Sequence, residues 1–234
     1  MSGILAAAPV SARGAALPAG LALYLNPADA TTITISSGNS ISQINDKSSN
    51  HNNASQGTGS AQPTRVAGDQ NGLDVIDFSA ASSQRFLLSS PIDVSSGLTA
   101  IFVGLCTGSN ILNVLGSNAN PADFYCELYH SSQFFSALSG HQMYTTGMSG
   151  SATYRLFSVL NDGAGGGSIY VNGVSTPVTF NTSAPLHASI NAVGSGDSLY
   201  ANGRIAALAV WPRALSSIER AAAEAIINTG RGLL

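Results

Sequence analysis

Residues 153–173 read "TYRLFSVLNDGAGGGSIYVNG", and the reading of this stretch decides the fold class. An apolar run halts at Asn161-Asp162-Gly163, three more glycines follow, and Ile169-Tyr170-Val171 leads to a second turn at Asn172-Gly173. Asn and Gly both tolerate positive φ, the geometry that reverses a chain between two right-twisted strands. The stretch is therefore a β-hairpin, and its glycines build turns. They make no phosphate loop, because no Lys-Ser/Thr follows them and no helix begins there.

Punctuation of this kind recurs along the chain. Strands are expected at 21–25, 31–36, 40–46, 73–78, 85–90, 98–106, 111–115, 123–129, 133–138, 153–160, 168–172, 174–180, 187–193 and 204–211, with a polar loop over 47–62. "LTAIFVGLC" (98–106) is apolar on both faces, as a central strand covered on both sides must be. Strands do not alternate with long helices, which excludes a parallel α/β sheet. The pattern predicts an all-β fold, an antiparallel jelly-roll β-sandwich.

One helix is expected at the end, over 215–232. Ser216 and Glu219 have capping-box spacing, Ile218, Ala222, Ala225 and Ile226 make an apolar stripe, and Gly230 stands where a left-handed residue stops a helix. This short C-terminal α-helix is expected to cover one edge or end of the sandwich. The organisation is then an extended N-terminal arm, 1–20, and one domain, 21–234.

The chain has 234 residues, of which 44% are hydrophobic and 9% charged, with a formal net charge of −3. That apolar content excludes a disordered chain. Lys47 is the single lysine and the arginines are scattered, so nucleic acid is excluded as a partner. No window approaches the roughly 20 apolar residues that cross a bilayer, which excludes a membrane-spanning helix. Low charge favours self-association. The opening "MSGILAAAPVSA" imitates a signal peptide, but no basic residue precedes its apolar run and Pro9 interrupts it, so it is expected to be retained. The arm residues Ile4, Leu5, Val10, Arg13 and Leu17 are expected to lie against a neighbouring subunit, the alternative being their own domain.

Three segments carry a family likeness. "YRLFSVLNDGAGGGSIYVNGVSTPVTF" resembles the hairpin of laminin-G-like domains of the concanavalin A-like lectin/glucanase group. "GSGDSLYANGRIAALAVWPRALSSIERAAAEAI" resembles their closing module, and "ISQINDKSSNHNNASQGTGSAQP" their first loop, with its Asp46-Lys47 pair. The likeness covers about residues 21–232, and Lys47 and Arg204 fit the family pattern. Leu23, Tyr24 and Ile44 stand where that family carries a tryptophan, which removes an indole platform for sugar at that end. The "RALS…ER" ending looks most like domains of tailed-phage structural proteins.

Few residues are candidates for chemistry. Glycosidases of this fold need two carboxylates about 5–10 Å apart. Of three glutamates, Glu219 and Glu224 belong to the helix, which leaves Asp123 and Glu127, four apart on one strand, with strand-end solvation as their simpler explanation. "GLCTG" (104–108) matches a nucleophile elbow at Cys106, but that elbow needs a helix next, and "SNILNVLG" reads as turn and strand. Cys106 and Cys126 are read as two reduced thiols, or as one bridge in an oxidising compartment. His51, His130, His141 and His187 lack zinc spacing. Asp46, Asp162 and Asp197 are calcium candidates implied by laminin-G-like relatives, each also explained by turn propensity. The sequons at Asn53 and Asn181 matter only in a glycosylating host. No cofactor is expected.

Three functions are weighed. The first is a non-enzymatic structural component of a phage particle, a capsid decoration or tail-associated protein. It would be located in the virion after assembly in the host cytoplasm, with other virion proteins and copies of itself as partners. The alternative is a carbohydrate-binding, lectin-like module that adheres to host-surface glycans. Its residues would be Tyr125, Tyr129, His130, Phe134 and Tyr144, in an aromatic stretch that also includes Phe135; packing of a sheet face explains the same aromatics. The third is a hydrolase working through Glu127.

Overall fold

The computed structural model describes residues 16–107, 111–117, 124–129, 133–138, 141–145, 153–181, 189–196 and 199–234, with the main chain alone at Phe124, Tyr125, Tyr129, Phe135, Ala137, Leu138 and His141. In chain order the strands are β1 (Leu23–Leu25), β2 (Ile33–Ser37), β3 (Ser40–Ile44), β4 (Ala54–Ser55), β5 (Thr64–Gln70), β6 (Leu73–Phe78) and β7 (Phe86–Asp93). Then come β8 (Leu98–Cys106), β9 (Ile111–Gly116), β10 (Phe124–Tyr129), β11 (Gln133–Leu138), β12 (His141–Thr145), β13 (Arg155–Asn161) and β14 (Gly167–Val171). The last are β15 (Val174–Thr176), β16 (Val178–Asn181), β17 (Ser189–Val193), β18 (Ser195–Gly196), β19 (Leu199–Tyr200) and β20 (Gly203–Trp211), before the helix α1 (Ser217–Ile227).

The pairings are antiparallel and trace two layers. One runs from β5 through β6, β20, β8, β13 and β14 to β15, with β1 beside β6 on the same flank of β20. The other runs from β3 through β4, β7, β17, β9, β10, β11 and β12 to β16. A single bridge, Ser40 to Thr64, joins them at β3 and β5. The ladder is thus folded on itself into a sandwich.

Side-chain alternation explains why three strands carry apolar residues on both faces. Leu98, Ala100 and Phe102 of β8, Phe157 and Val159 of β13, and Leu208 and Val210 of β20 face the core between the layers. Their neighbours Ile101, Val103, Leu156, Leu160, Ala207, Ala209 and Trp211 face outward into a second apolar cluster with Ala223 and Ile227 of α1. A bulge between Ile205 and Ala207 adds Ala206 to that outer face. In the inner core the Phe102 and Phe157 rings stack with centroids 4.9 Å apart.

The hairpin forms as its sequence predicts. Asp162 Oδ1 accepts from the N–H groups of Ala164 and Gly166, both at 2.8 Å, which closes the glycine loop between β13 and β14. Asn172 and Gly173 then take φ of 49° and 77° and reverse β14 into β15. The expected strand over 174–180 is split, because Pro177 has no N–H to continue the ladder. The expectation missed β5, an edge strand whose "TRVAGDQ" offers one large apolar residue and no alternation.

The helix is shorter than expected and lies elsewhere. Its capping box is present, with Ser216 as N-cap and Glu219 reciprocating. The expected stripe is not the buried face: Ile218 is 81% exposed and Ala222 and Ala225 face solvent, whereas Ala223, Glu224 and Ile227 are buried. Nor does α1 cap an edge; it lies over the outer face of β8 and β13. Buried Glu224 accounts for the rotation, since Ser158 of β13 and Arg220 hold it against the sheet.

Candidate functional site

A groove lies where the first strand meets the first polar loop. Asp46, just past the end of β3, organises that loop. Its Oδ1 accepts from the Tyr24 and Ser48 amides at 2.7 and 2.8 Å. Its Oδ2 accepts from the Ser48 hydroxyl at 2.6 Å and the Asn52 amide at 2.8 Å. The carboxylate is 4% exposed, and its own amide donates to Asn53 Oδ1 at 3.0 Å. His51 takes φ of 50° to complete the turn. Lys47 N–H donates to Tyr24 O, so loop and β1 are stitched in both directions.

The facing wall is the segment that leads into β1. Trp211 Nε1–H donates to Pro18 O at 3.0 Å, and Arg213, held by Glu219, donates to Ala19 O at 2.9 Å. Leu17 and Leu21 pack on the outer apolar cluster. Between the walls lies a groove of about 580 Å³. It is lined by the apolar side chains of Leu17, Leu21, Pro212 and Ile226 and by Tyr24, Lys47, Ser49 and Asn50. A second groove of about 210 Å³ adjoins it, sharing Ala22 and Asn50 and bounded by Asn52, Ser90 and Pro91. Asn52 anchors that rim: its Oδ1 accepts from the Ser89 hydroxyl at 2.9 Å and the Ser90 amide at 2.8 Å.

The charges around the groove are matched. Lys47 pairs with Asp29, and its hydrogen bond pulls the Asp29 carboxyl down to about 2. Arg213 does the same to Glu219, also to about 2. Burial pushes the Tyr24 phenol up, against the pull of Arg231 and Lys47. No carboxylate lines either groove.

Of the sequence-predicted glycan-site residues, the structure removes Phe134 from the surface. Phe134 is fully buried and stacks on Phe157 at 5.5 Å, which removes it from any exposed platform. Tyr144 is half-buried on β12, Tyr125 and Tyr129 lie on β10, and His130 lies outside the described residues. Of the arm residues, Leu17 packs on its own domain and Ile4, Leu5, Val10 and Arg13 lie outside the described residues. Glu127 is not solvated at a strand end: it is 1% exposed within β10, and Asp123 lies outside the described residues. Cys106 ends β8, and the next described element is the strand β9, so no nucleophile elbow forms. Both cysteines are buried and unbridged, and burial followed by the Glu127 charge pushes the Cys126 thiol up.

The calcium candidates resolve the same way. Both Asp46 oxygens are taken by N–H and O–H donors, an arrangement opposite to that which receives a cation. Asp162 closes its own turn, and Asp197 lies outside the described residues. Sequence reasoning missed the groove because Asn50 meets Leu17, Pro212 and Ile226 only through tertiary structure. The signal available was Asp46-x-Ser48, whose spacing marks a self-bonded loop.

The chain is an all-β, antiparallel β-sandwich with one C-terminal α-helix, and solved structures share that fold. Domain 4 of an extracellular arabinanase from Geobacillus stearothermophilus, in complex with arabinotriose, is similar over 87% of this chain and 97% of its own, at TM-score 0.52 and 13% identity. Trypanosoma rangeli sialidase in complex with sialic acid is similar at TM-score 0.59 and 16% identity, over 92% of this chain and 34% of the sialidase. The binding domain of Paraclostridial Mosquitocidal Protein 1 is similar at TM-score 0.52 and 14% identity, over 90% of this chain. The chain spans about half of that toxin domain, 52%, and about a third of the sialidase. No protein-family model and no curated protein sequence matches the chain.

Proposed function

We propose that this chain is a carbohydrate-binding, lectin-like module that holds glycans without turning them over. The observation that carries the proposal is the mixed lining of the groove at Tyr24 and Asn50. A sugar ring has an apolar C–H face and a hydroxyl rim, and the groove combines apolar side chains with hydroxyl and amide groups. Cleavage of a glycosidic bond needs paired carboxylates beside the ligand, and the groove is lined by none. The similarity to an arabinanase domain in complex with arabinotriose, over nearly its whole length, supports the same reading.

Binding of the purified domain to an array of immobilised glycans tests it. Wild-type signal that falls with Asn50→Ala and persists with Tyr129→Ala is the expected result. Loss with Tyr129→Ala alone would place the site in the 124–144 aromatic stretch instead.

A second reading, an assembly component of a phage particle, draws on the exposed Ile218, Ala222 and Ala225 of α1 and the exposed Val174, apolar surface suited to protein contacts. The similar structures named above lend it nothing, so it rests on the likeness of the closing segment and on this surface. A concentration-independent monomer in light scattering, with Ile218→Ser indistinguishable from wild type, would end it.

A further inference from the structure

We infer that the two grooves are one extended site for an uncharged oligosaccharide, whose chain crosses Ala22 and Asn50 from the Tyr24 groove into the Ser90 groove. This rests on the carbohydrate-binding reading and adds the ligand's charge and its reach.

Continuity comes first. The grooves share Ala22 and Asn50, and Asn50 is fixed at the crossing because its Nδ2 donates to Leu21 O at 3.2 Å and Ala22 O at 3.3 Å. Its Oδ1 is then left without a partner among the described residues. The Tyr24 phenol and the Ser49 hydroxyl in the first groove, and the Ser90 hydroxyl in the second, are likewise unengaged there. Tyr24 and Ser49 line the first groove, Ser90 the second, and Asn50 both. A ligand that displaces their water must replace those hydrogen bonds, or each desolvated group weakens binding. A chain of sugar hydroxyls, each both donor and acceptor, meets that requirement along the whole path. A single sugar in one groove leaves the other groove's groups in water.

Charge comes second. An anionic sugar needs a cation free to receive it, and Lys47 and Arg213 are already paired with Asp29 and Glu219. Arg231, behind Tyr24, is 3% exposed and directs its guanidinium to the carbonyls of Ile227 and Ala206 and the Asn26 side chain. Asp46 lies buried beneath the loop, its carboxylate oxygens already occupied by donors. A cationic sugar fares no better, since no free carboxylate lines the site. Burying an unpaired ionic group is costly, so the site discriminates against both.

The test uses an array of neutral gluco-, xylo-, galacto- and arabino-oligosaccharides graded in length from the monosaccharide, beside sialylated and uronate-bearing counterparts, with affinities then measured by titration. The expected result is a neutral ligand whose affinity rises about tenfold or more from monosaccharide to the longer chains. That affinity should hold between about 50 and 500 mM salt. Ser90→Ala, at an exposed position, should weaken the long ligand about three- to tenfold and leave short ligands unchanged. Ser49→Ala should weaken both. Unchanged melting temperatures show that these variants fold. Preference for acidic glycans with a steep salt dependence overturns the inference on charge, and affinity independent of chain length overturns it on reach. Glycan binding insensitive to Ser49→Ala, Asn50→Ala and Ser90→Ala would leave a lectin with its site elsewhere. Absence of binding to every glycan would remove both the inference and the reading beneath it.

Discussion

Ser158 Oγ donates a 2.6 Å hydrogen bond to Glu224 Oε1, joining the central strand β13 to the only α-helix among the described residues. Both side chains are buried, and Arg220 completes the group, paired with Glu224 while stacked 3.7 Å above the Tyr170 ring. Glu224→Ala would leave Arg220 without its counter-charge and should destabilise the domain by about 3 kcal/mol. Replacing all three as Ser158→Ala, Arg220→Met and Glu224→Leu should recover most of that loss, because apolar packing then replaces the polar group. Urea denaturation of the single and triple variants measures both outcomes.

Asp46 holds three backbone N–H groups and one hydroxyl in a buried site. Asp46→Ala should cost about 2–4 kcal/mol, since it orphans several donors at once. It should also abolish glycan binding, because the loop that carries Ser49 and Asn50 loses its organiser. Asp46→Asn should fall between the two. Calcium or a chelator should leave the melting temperature of wild type unchanged, a contrast readable by calorimetry.

Asp29 and Glu219 have ordinary values of 3.8 and 4.5 and are both held at about 2 by Lys47 and Arg213. Because the folded values lie below the unfolded ones, each pair stabilises fully above about pH 5 and less as the pH falls through about 4 toward 2. Both pairs are washed by solvent, so the contribution is small and screened by salt. Melting temperature followed from pH 6 to pH 2 should drop more gently in Asp29→Asn/Glu219→Gln than in wild type, with the difference narrowing in high salt.

Trp211 is the single tryptophan, fully buried, and its indole N–H holds Pro18 O. Trp211→Phe should cost about 1–2 kcal/mol and loosen residues 16–20, the apolar wall of the groove. Faster proteolysis within that segment, together with weaker glycan binding, is the expected joint readout.

Gly203 opens β20 at φ +156°, and a Cβ there would approach Leu105 O to 2.3 Å. A backbone carbonyl within a central strand pair has nowhere to move. Gly203→Ala should therefore destabilise by about 2–4 kcal/mol, measured by thermal unfolding.

Much of the fold was legible because its signals are local. Asn172-Gly173 prescribes positive φ, Ser216 and Glu219 prescribe a capped helix start, and the unbroken apolar run of 98–106 prescribes a strand covered on both sides. β5 escaped because an edge strand needs no apolar face. The buried face of α1 escaped for a different reason: periodicity counted Ile218, Ala222 and Ala225, yet the docked helix turns Glu224 inward, and only a partner hydroxyl and Arg220 make a buried carboxylate tolerable. Within the aromatic stretch of 124–144, Phe134 alternates into the core, the sheet-face packing that the sequence also allowed.

By itself the sequence determined an antiparallel β body with a capped C-terminal helix, since turn chemistry and alternation act between residues near in the chain. Tertiary structure alone decided where the groove lies. The groove brings Leu17, Tyr24, Asn50, Pro212 and Ile226 together from distant segments, and closeness in space leaves no periodic mark in the sequence.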